Sequence, residues 1–199
     1  MNEAKTKSAT VSQFLYEHFE QGRRILLSPK EAFREQKTQS GYWKPTAFAM
    51  LCIAAPRGAY ALLWAPFTLG FSILWLIPSV IYGTIFLYML STALYGLVRC
   101  YREIITFDSI FRCVAYSWVS YFLLLIPIPL LNHLFIAAAF GFYLHYALRE
   151  VHGFDKKQAI LIAIVPSAIV LVIGAIMSLA SMFMLGVTIF KAGTYFFAS

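Results

Sequence analysis

Charge is scarce in this 199-residue sequence, and three long stretches have none. Only 13% of the residues are charged and 60% are hydrophobic, whereas soluble domains average about 25% charged residues. Residues 58–98, 114–148 and 158–190 contain no Asp, Glu, Lys or Arg. About 20 apolar residues in a row let a helix cross a hydrocarbon core of roughly 30 Å. The composition therefore argues against a soluble domain and predicts a membrane protein.

Cysteines and recognisable catalytic groups are also few. The three cysteines, Cys52, Cys100 and Cys113, form no C-x-x-C pair, so neither a structural disulfide nor a zinc site is expected. No candidate nucleophile has a recognisable base beside it. We predict that the protein is not an enzyme and has no catalytic, cofactor-binding or metal-binding residues and no cofactor. The N-terminus is polar and charged, without the apolar core of a cleaved signal, and is expected to stay attached.

The apolar runs are long enough for five membrane-spanning helices. We place these spans at residues 45–64, 73–98, 111–127, 131–148 and 159–187. The predicted fold class is an all-α, polytopic membrane helix bundle with five transmembrane helices. Residues 1–44 would form a short cytoplasmic helical arm, residues 45–190 the transmembrane domain and residues 191–199 a short non-cytoplasmic tail.

The basic residues lie on one side of this arrangement. The arm, the connection after the second span counted through Arg112, and the connection after the fourth span contain fourteen of the sixteen Lys and Arg residues. Because Lys and Arg concentrate in short cytoplasmic segments, we expect a cytoplasmic N-terminus, an external C-terminus and a bacterial inner membrane. The net charge of +7 then favours contact with anionic lipid headgroups. It does not indicate nucleic-acid binding, because no base-stacking or phosphate-binding motif accompanies it.

The arm carries two helix signals. Apolar residues recur near helical spacing at Val11, Phe14, Leu15, Phe19, Ile25 and Leu26, which predicts an amphipathic helix lying on the membrane. A second helix should start at SPKE, with Ser28 as its cap, Pro29 in its first turn and Glu31 closing a capping box. The arm is either a docking surface for a partner or anionic lipid, or a solvated face packed on the membrane domain. The cytoplasmic contact candidates are Phe14, Phe19, Arg23, Arg24, Ser28, Glu31, Arg99, Arg102, Lys156 and Lys157.

The stretch AAPRGAY, residues 54–60, puts a proline, an arginine and a glycine into the first predicted span. If that span begins at Pro45, Arg57 lies roughly 18 Å along it, near the bilayer centre, where a charge usually faces a bundle interior. Pro56 frees one carbonyl and Gly58 permits close approach, so carbonyls or tyrosines are the expected partners. In the alternative register the span starts after Arg57, which then reaches the cytoplasmic headgroups.

A stripe of small and polar residues recurs every four positions in the fourth predicted span. Its members are His133, Ala137, Gly141, His145 and Arg149. Such stripes let membrane helices approach closely and form hydrogen bonds between them, which predicts a packing surface. A metal site is not expected, because the two histidines lie about 18 Å apart along the helix axis.

Several stretches together resemble the Yip family (Ypt-interacting proteins, the Yip domain) in its prokaryotic branch. They are ILLSPKEAF, GYWKPTAF, ITFDSIFRCVAYSW, LLLIPIPLLN and LREVHGFDKKQAILIAIVP, in an order that covers residues 25 to about 174. The sequence departs from prokaryotic relatives at VRCYREIITFD, where they often have a Gly-Gly turn. The resemblance implies five spans with a cytoplasmic N-terminus, in agreement with the charge distribution, and it supplies no reaction.

Two classes of function fit these features. The first is a non-enzymatic membrane protein that acts through protein or lipid contacts at its cytoplasmic face. It would be an organiser of the membrane, a scaffold or an accessory subunit of a larger complex, and its partner would be another protein or a second copy of the chain. The alternative is a small transporter or permease component with a polar route near Arg57. The lack of an acidic residue within the spans counts against this alternative.

Overall fold

The chain is helical throughout the part that the structure, a computed structural model, describes. The described residues are 2–38, 40–64, 71–74, 76–102, 104–126, 128 and 131–197. Within them the α-helices are α1 (Asn2–Leu27), α2 (Pro29–Glu35), α3 (Trp43–Trp64), α4 (Phe71–Leu74), α5 (Leu76–Arg99), α6 (Phe107–Ser117), α7 (Leu131–His152) and α8 (Lys156–Phe197). Two 3₁₀ segments cover Gln36–Thr38 and Trp118–Leu125. The prediction of an all-helical fold is confirmed.

Four of these helices are long and apolar enough to cross a membrane. They are α3, α5, α7 and α8, each with an apolar run of 21–24 residues. They coincide with the predicted spans at 45–64, 73–98, 131–148 and 159–187, apart from small shifts at their ends. The last helix, α8, continues through most of the predicted tail and has 42 residues, a length of about 63 Å.

The predicted span at 111–127 is not a single α-helix. Its place is taken by α6 followed directly by the eight-residue 3₁₀ segment, which we call together the central segment, residues 107–125. Prolines at 127 and 129 follow it. The α-helical conformation is disfavoured for a residue that precedes a proline, so an α-helix is not expected to continue to the end of the predicted span. Rises of about 1.5 Å per α-helical residue and 2.0 Å per 3₁₀ residue give the central segment a length of about 32 Å.

The central segment is the innermost element of the bundle. Every residue from 110 to 121 is buried, and the segment packs against α3, α5 and α7. The Trp118 ring lies 6.0 Å from the ring of Phe86 on α5 and 5.9 Å from that of Phe140 on α7. Side chains three apart eclipse one another in a 3₁₀ helix, which sets Trp118 5.3 Å from Tyr121. The tighter winding therefore fixes where Tyr121 points.

The two arm helices meet without a loop between them. Ser28 is the N-cap residue of α2 and Pro29 opens the helix, as predicted, but the Ser28 side chain makes no capping hydrogen bond. The predicted capping box with Glu31 is wrong, because it needs the Ser28 backbone N–H. That N–H instead donates to the carbonyl of Arg24 at 2.8 Å and closes α1. Phe33 on α2 is fully buried and anchors the arm to the bundle.

Two glycines of α5 offer a test of the packing between α3 and α5. A Cβ added at Gly83 would lie 2.7 Å from Cδ1 of the buried Ile53, whereas one added at Gly96 would meet no atom within 4 Å. We expect Gly83→Leu to lower the free energy of unfolding by about 1–3 kcal/mol through overpacking. The matched control Gly96→Leu should change it by about 0.5 kcal/mol or less. Thermal unfolding in detergent measures both, and equal losses would contradict this packing.

Candidate functional site

Three segments that are far apart in the sequence meet at one end of the bundle. Arg34 of α2 donates to Glu150 at the end of α7, with 3.1 Å between Nη2 and Oε2. Arg102, which follows α5, donates to the carbonyls of His152 and Gly153 at 2.5 and 3.0 Å. We call this the charged end. It brings together the arm and the two connections in which the sequence concentrates its basic residues.

Gly153 shapes the connection that Arg102 binds. Its φ of +66° lies in the left-handed region that glycine adopts without strain, and its N–H donates to the Arg149 carbonyl at 2.9 Å, ending α7. The turn exposes two carbonyls to Arg102, whose guanidinium also lies 4.9 Å from the centre of the Phe154 ring. Arg102 therefore ties the α5–α6 connection to the α7–α8 connection.

A buried ion pair lies beneath this surface. Arg112, counted with the connection after the second predicted span, lies inside α6, is only 6% exposed and pairs with Asp108 one turn earlier. The helix starts earlier than predicted because the Thr106 hydroxyl caps it, accepting from the Ser109 N–H at 3.4 Å. Removing one member of such a pair leaves a buried charge without compensation.

Helix α1 packs with one face and leaves a neighbouring apolar face exposed. Gly22 and Ile25 are buried, and the His18 ring stacks 6.4 Å from Phe48 of α3, while Phe14 contacts His18 at 4.1 Å. The remaining apolar residues are 47–72% exposed and form the outer face of α1: Val11, Leu15, Phe19 and Leu26. The predicted stripe is thus divided, with one part on the bundle and the other turned outward.

The polar side of α1 is covered by ion pairs. Arg23 donates two hydrogen bonds to Glu20 at 2.8 and 2.7 Å, and Arg24 joins Glu20 to Glu35 of α2 at 3.3 and 3.2 Å. The hydrogen bond from Arg23 lowers the pKa of Glu20 to about 2, so this carboxylate is ionised at physiological pH. Exposed pairs of this kind contribute little to stability.

The other predicted contact residues at this end are solvent-exposed. Glu31, Lys156 and Lys157 are exposed at the helix starts, and the Arg99 guanidinium lies 5.8 Å from the Tyr95 ring. They border the connections without joining the Arg102 contact.

Arg57 contacts a tyrosine inside the bundle. Helix α3 runs without a break through Pro56 and Arg57, as the deeper of the two predicted registers requires. The guanidinium donates to the Tyr121 hydroxyl from Nε at 3.1 Å and from Nη2 at 2.6 Å. Arg57 lies about 21 Å along α3 and Tyr121 about 23 Å along the central segment, both counted from the charged end. The two residues therefore lie at about the same distance from the charged end.

The surroundings of Arg57 differ from the expectation in one respect. A Cβ added at Gly58 would meet no atom within 4 Å, so the close approach expected there does not occur, because Gly58 lies on a side of α3 that faces open space. No ion pair with Arg57 occurs among the described residues. A hydroxyl, not a carboxylate, is its partner, and the ring of His133 on α7 lies within electrostatic range.

A model of a known protein family matches most of this chain. Residues 23–177 match the family model described as the Yip1 domain, from the end of α1 to the middle of α8. The chain belongs to the Yip1 family. The resemblance inferred from sequence motifs is confirmed at family level, and with it an integral membrane protein. Neither curated proteins nor solved structures give a match.

The stripe of small and polar residues predicted for the fourth span lies on α7 and faces α8. A Cβ added at Gly141 would lie 2.5 Å from the Ser167 hydroxyl of α8, and His133 lies directly against Gly174 of α8. Ala137 is buried and His145 lines the same α7–α8 boundary. The four-residue spacing therefore brings these residues to one interface, which Arg149 continues toward the charged end.

Sequence reasoning missed three partners in the Yip1 domain. Tyr121, Asp108 and Glu150 receive hydrogen bonds from Arg57, Arg112 and Arg34 respectively. The spacing of four residues between Asp108 and Arg112 is a signal that could have found their pair. No sequence signal connects Arg57 to Tyr121 across 64 positions.

The contact between Arg57 and Tyr121 can be tested by a double-mutant cycle. A hydrogen bond to a charged group contributes about 1.5–3 kcal/mol, so Tyr121→Phe should lower the free energy of unfolding by that amount. In an Arg57→Leu background the same substitution should have little effect, because its partner is gone. Stability in detergent is the measurement.

Tyr143→Phe is the matched control for this cycle. Tyr143 is equally buried at 9% exposure and donates no hydrogen bond to the described residues, so we expect a change of about 0.5 kcal/mol or less. If Tyr121→Phe cost the same with and without Arg57, the contact would not be a stabilising interaction.

Proposed function

We propose that this Yip1-family protein is a non-enzymatic membrane protein that crosses the bilayer five times and uses its charged end as a cytoplasmic surface for protein or lipid contacts. The observation that carries the proposal is the meeting of the arm with both basic connections. The contacts of Arg34 with Glu150 and of Arg102 with the turn at Gly153 establish that meeting.

The direction of each element supports five crossings. Helix α3 leaves the charged end, and α5 returns to it at Arg99. The central segment leaves again, α7 returns to His152, and α8 leaves from Lys156. The central segment, at about 32 Å, is long enough to cross a core of roughly 30 Å. An odd number of crossings puts the two termini on opposite sides.

The positive-inside rule supports a cytoplasmic charged end, in the inner membrane of a bacterium. Anionic lipid headgroups would then lie beside the exposed lysines at the start of α8. The outer face of α1 is apolar and adjoins the face that packs on the bundle, which is the arrangement expected of a helix that lies at the membrane interface or receives a partner. The Yip1 family is not known as an enzyme family.

A protein partner or a second copy of the chain would meet this surface through the outer face of α1. Four exposed apolar side chains lie together on this face, whereas exposed apolar residues on protein surfaces are commonly isolated. Gly22 and Ile25 are buried and His18 stacks on Phe48 of α3, so the neighbouring outer face is turned away from the bundle. The proposal thus covers a scaffold, an organiser of the membrane and an accessory subunit, which share this contact surface.

The outer face of α1 provides the test. We expect Leu15→Ser together with Phe19→Ser to deplete, by about tenfold or more, the proteins or anionic lipids that co-purify with the full chain in native nanodiscs. Burying an apolar side chain contributes about 1.5–3 kcal/mol, and 1.4 kcal/mol corresponds to tenfold in affinity. Quantitative mass spectrometry of the nanodiscs measures the change.

The matched control is Gln13→Ser together with Glu17→Ser on the opposite side of α1, where both residues are exposed. It should leave co-purification unchanged. Identical co-purification from all three proteins, combined with solute flux after the purified chain is reconstituted, would contradict the proposal and favour the transporter.

A further inference from the structure

Helices α7 and α8 leave a groove of about 620 Å³ between them, within the range of ligand-binding sites. Small residues such as Gly141 and Ser167 line it, and the two helices approach closely there because Gly141 has no side chain. The walls are apolar side chains on both helices, among them Leu134, Phe142, Ile164 and Leu171. Several wall residues are exposed on the outside of the bundle, such as Phe142 at 51% and Ile164 at 55%. The groove therefore opens on the side that lipid would contact.

One end of the groove is basic. His145 and Lys156 line it at the charged end, and Arg149 lies one helical turn beyond His145. Arg149 and Lys156 are both within electrostatic range of the His145 ring. The Nδ1 atom of that ring is buried and has no hydrogen-bond partner among the described residues. Positive charge and a polar ring atom thus converge at the end of an otherwise apolar groove.

The nearby carboxylates do not neutralise this end. Glu150 is held by Arg34 at 3.1 Å. Asp155 accepts a hydrogen bond from the Gln158 N–H at 2.8 Å and caps the start of α8. Its single negative charge is outnumbered by the charges of Arg149 and Lys156, which leaves an excess of positive charge at the groove.

The groove has the length of one lipid chain. Its lining on α8 extends from Lys156 to Leu171, about 22 Å along the helix axis. Half the hydrocarbon core of a bilayer is roughly 15 Å thick. The basic end would therefore lie at the headgroups while the apolar part runs through one leaflet.

We infer that the α7–α8 groove binds one acyl chain of an anionic phospholipid, with the lipid phosphate held by His145, Arg149 and Lys156. This inference deepens the proposed function. It rests on that function in one respect, namely that the charged end lies at an anionic leaflet. The groove supplies chain recognition, and the three basic side chains supply headgroup recognition.

Lipid binding to the full chain tests the inference. The purified protein in detergent is titrated with dioleoylphosphatidylglycerol or with dioleoylphosphatidylcholine, which have the same acyl chains, and native mass spectrometry counts the bound lipid. We expect one phosphatidylglycerol per chain, bound about tenfold more tightly than phosphatidylcholine. Arg149→Gln with Lys156→Gln should abolish this difference, because each basic group near a phosphate contributes to the attraction.

Two controls separate the groove from general attraction. Lys30→Gln with Lys37→Gln removes the same charge from exposed positions of the arm outside the groove and should retain the preference. Ala168→Phe fills the groove from its exposed side and should weaken binding of both lipids, whereas Ala93→Phe on the exposed side of α5 should not. Thermal unfolding of each variant shows that it is folded.

Equal binding of the two lipids by the wild-type protein would overturn the inference. Equal loss from both charge pairs would do the same, because it would indicate general attraction. Displacement of phosphatidylglycerol by soluble glycerol phosphate would show a headgroup site without chain recognition, which also contradicts it. These outcomes are distinct from failure of the proposed function, since the co-purification experiment on α1 leaves the groove intact.

Discussion

A chain inside lipid has to satisfy its own backbone hydrogen bonds, and the rest of this structure depends on how the central segment meets that constraint. Irregular backbone is tolerated at membrane depth only where protein surrounds it. Here the 3₁₀ segment at Trp118–Leu125 packs against α3 and α7, its first half, Trp118–Tyr121, is buried, and Phe86 of α5 contacts Trp118. The helices α3, α5 and α7 therefore shield residues 110–121 of the central segment, every one of which is buried.

The same enclosure positions the polar groups. The 3₁₀ winding puts Tyr121 at the depth of Arg57, so a charge that would be costly in lipid finds a hydroxyl inside the bundle. Toward the charged end, Arg112 and Asp108 pair on the same segment, and Arg102 and Arg34 tie the connections and the arm to α7 and its turn. One central element thus relates the deep contact to the surface that we propose for recognition.

The helical architecture was predictable because hydrophobic length and charge position act along the sequence. The uncharged runs located α5, α7 and α8, and the apolar residues before Arg57 located α3. The four-residue stripe located the interface with α8. Other features depend on winding and caps that these patterns do not report. Tyr121 faces Arg57 only through the 3₁₀ geometry, Arg112 enters a helix because Thr106 caps it early, and Ser28 gives its N–H to α1 and not to a capping box.

The central claim is that the central segment is a fifth crossing, and a two-site topology measurement tests it most directly. Cys100 is exposed at the charged end, whereas Cys52 and Cys113 are buried, so a membrane-impermeant thiol reagent reports the side of Cys100, with Cys100→Ser as the blank. A reporter fused to the C-terminus gives the side of the last helix. The account predicts labelling of Cys100 only in inside-out vesicles and reporter activity only outside the cell. Cys100 and the C-terminal reporter on the same side would contradict it.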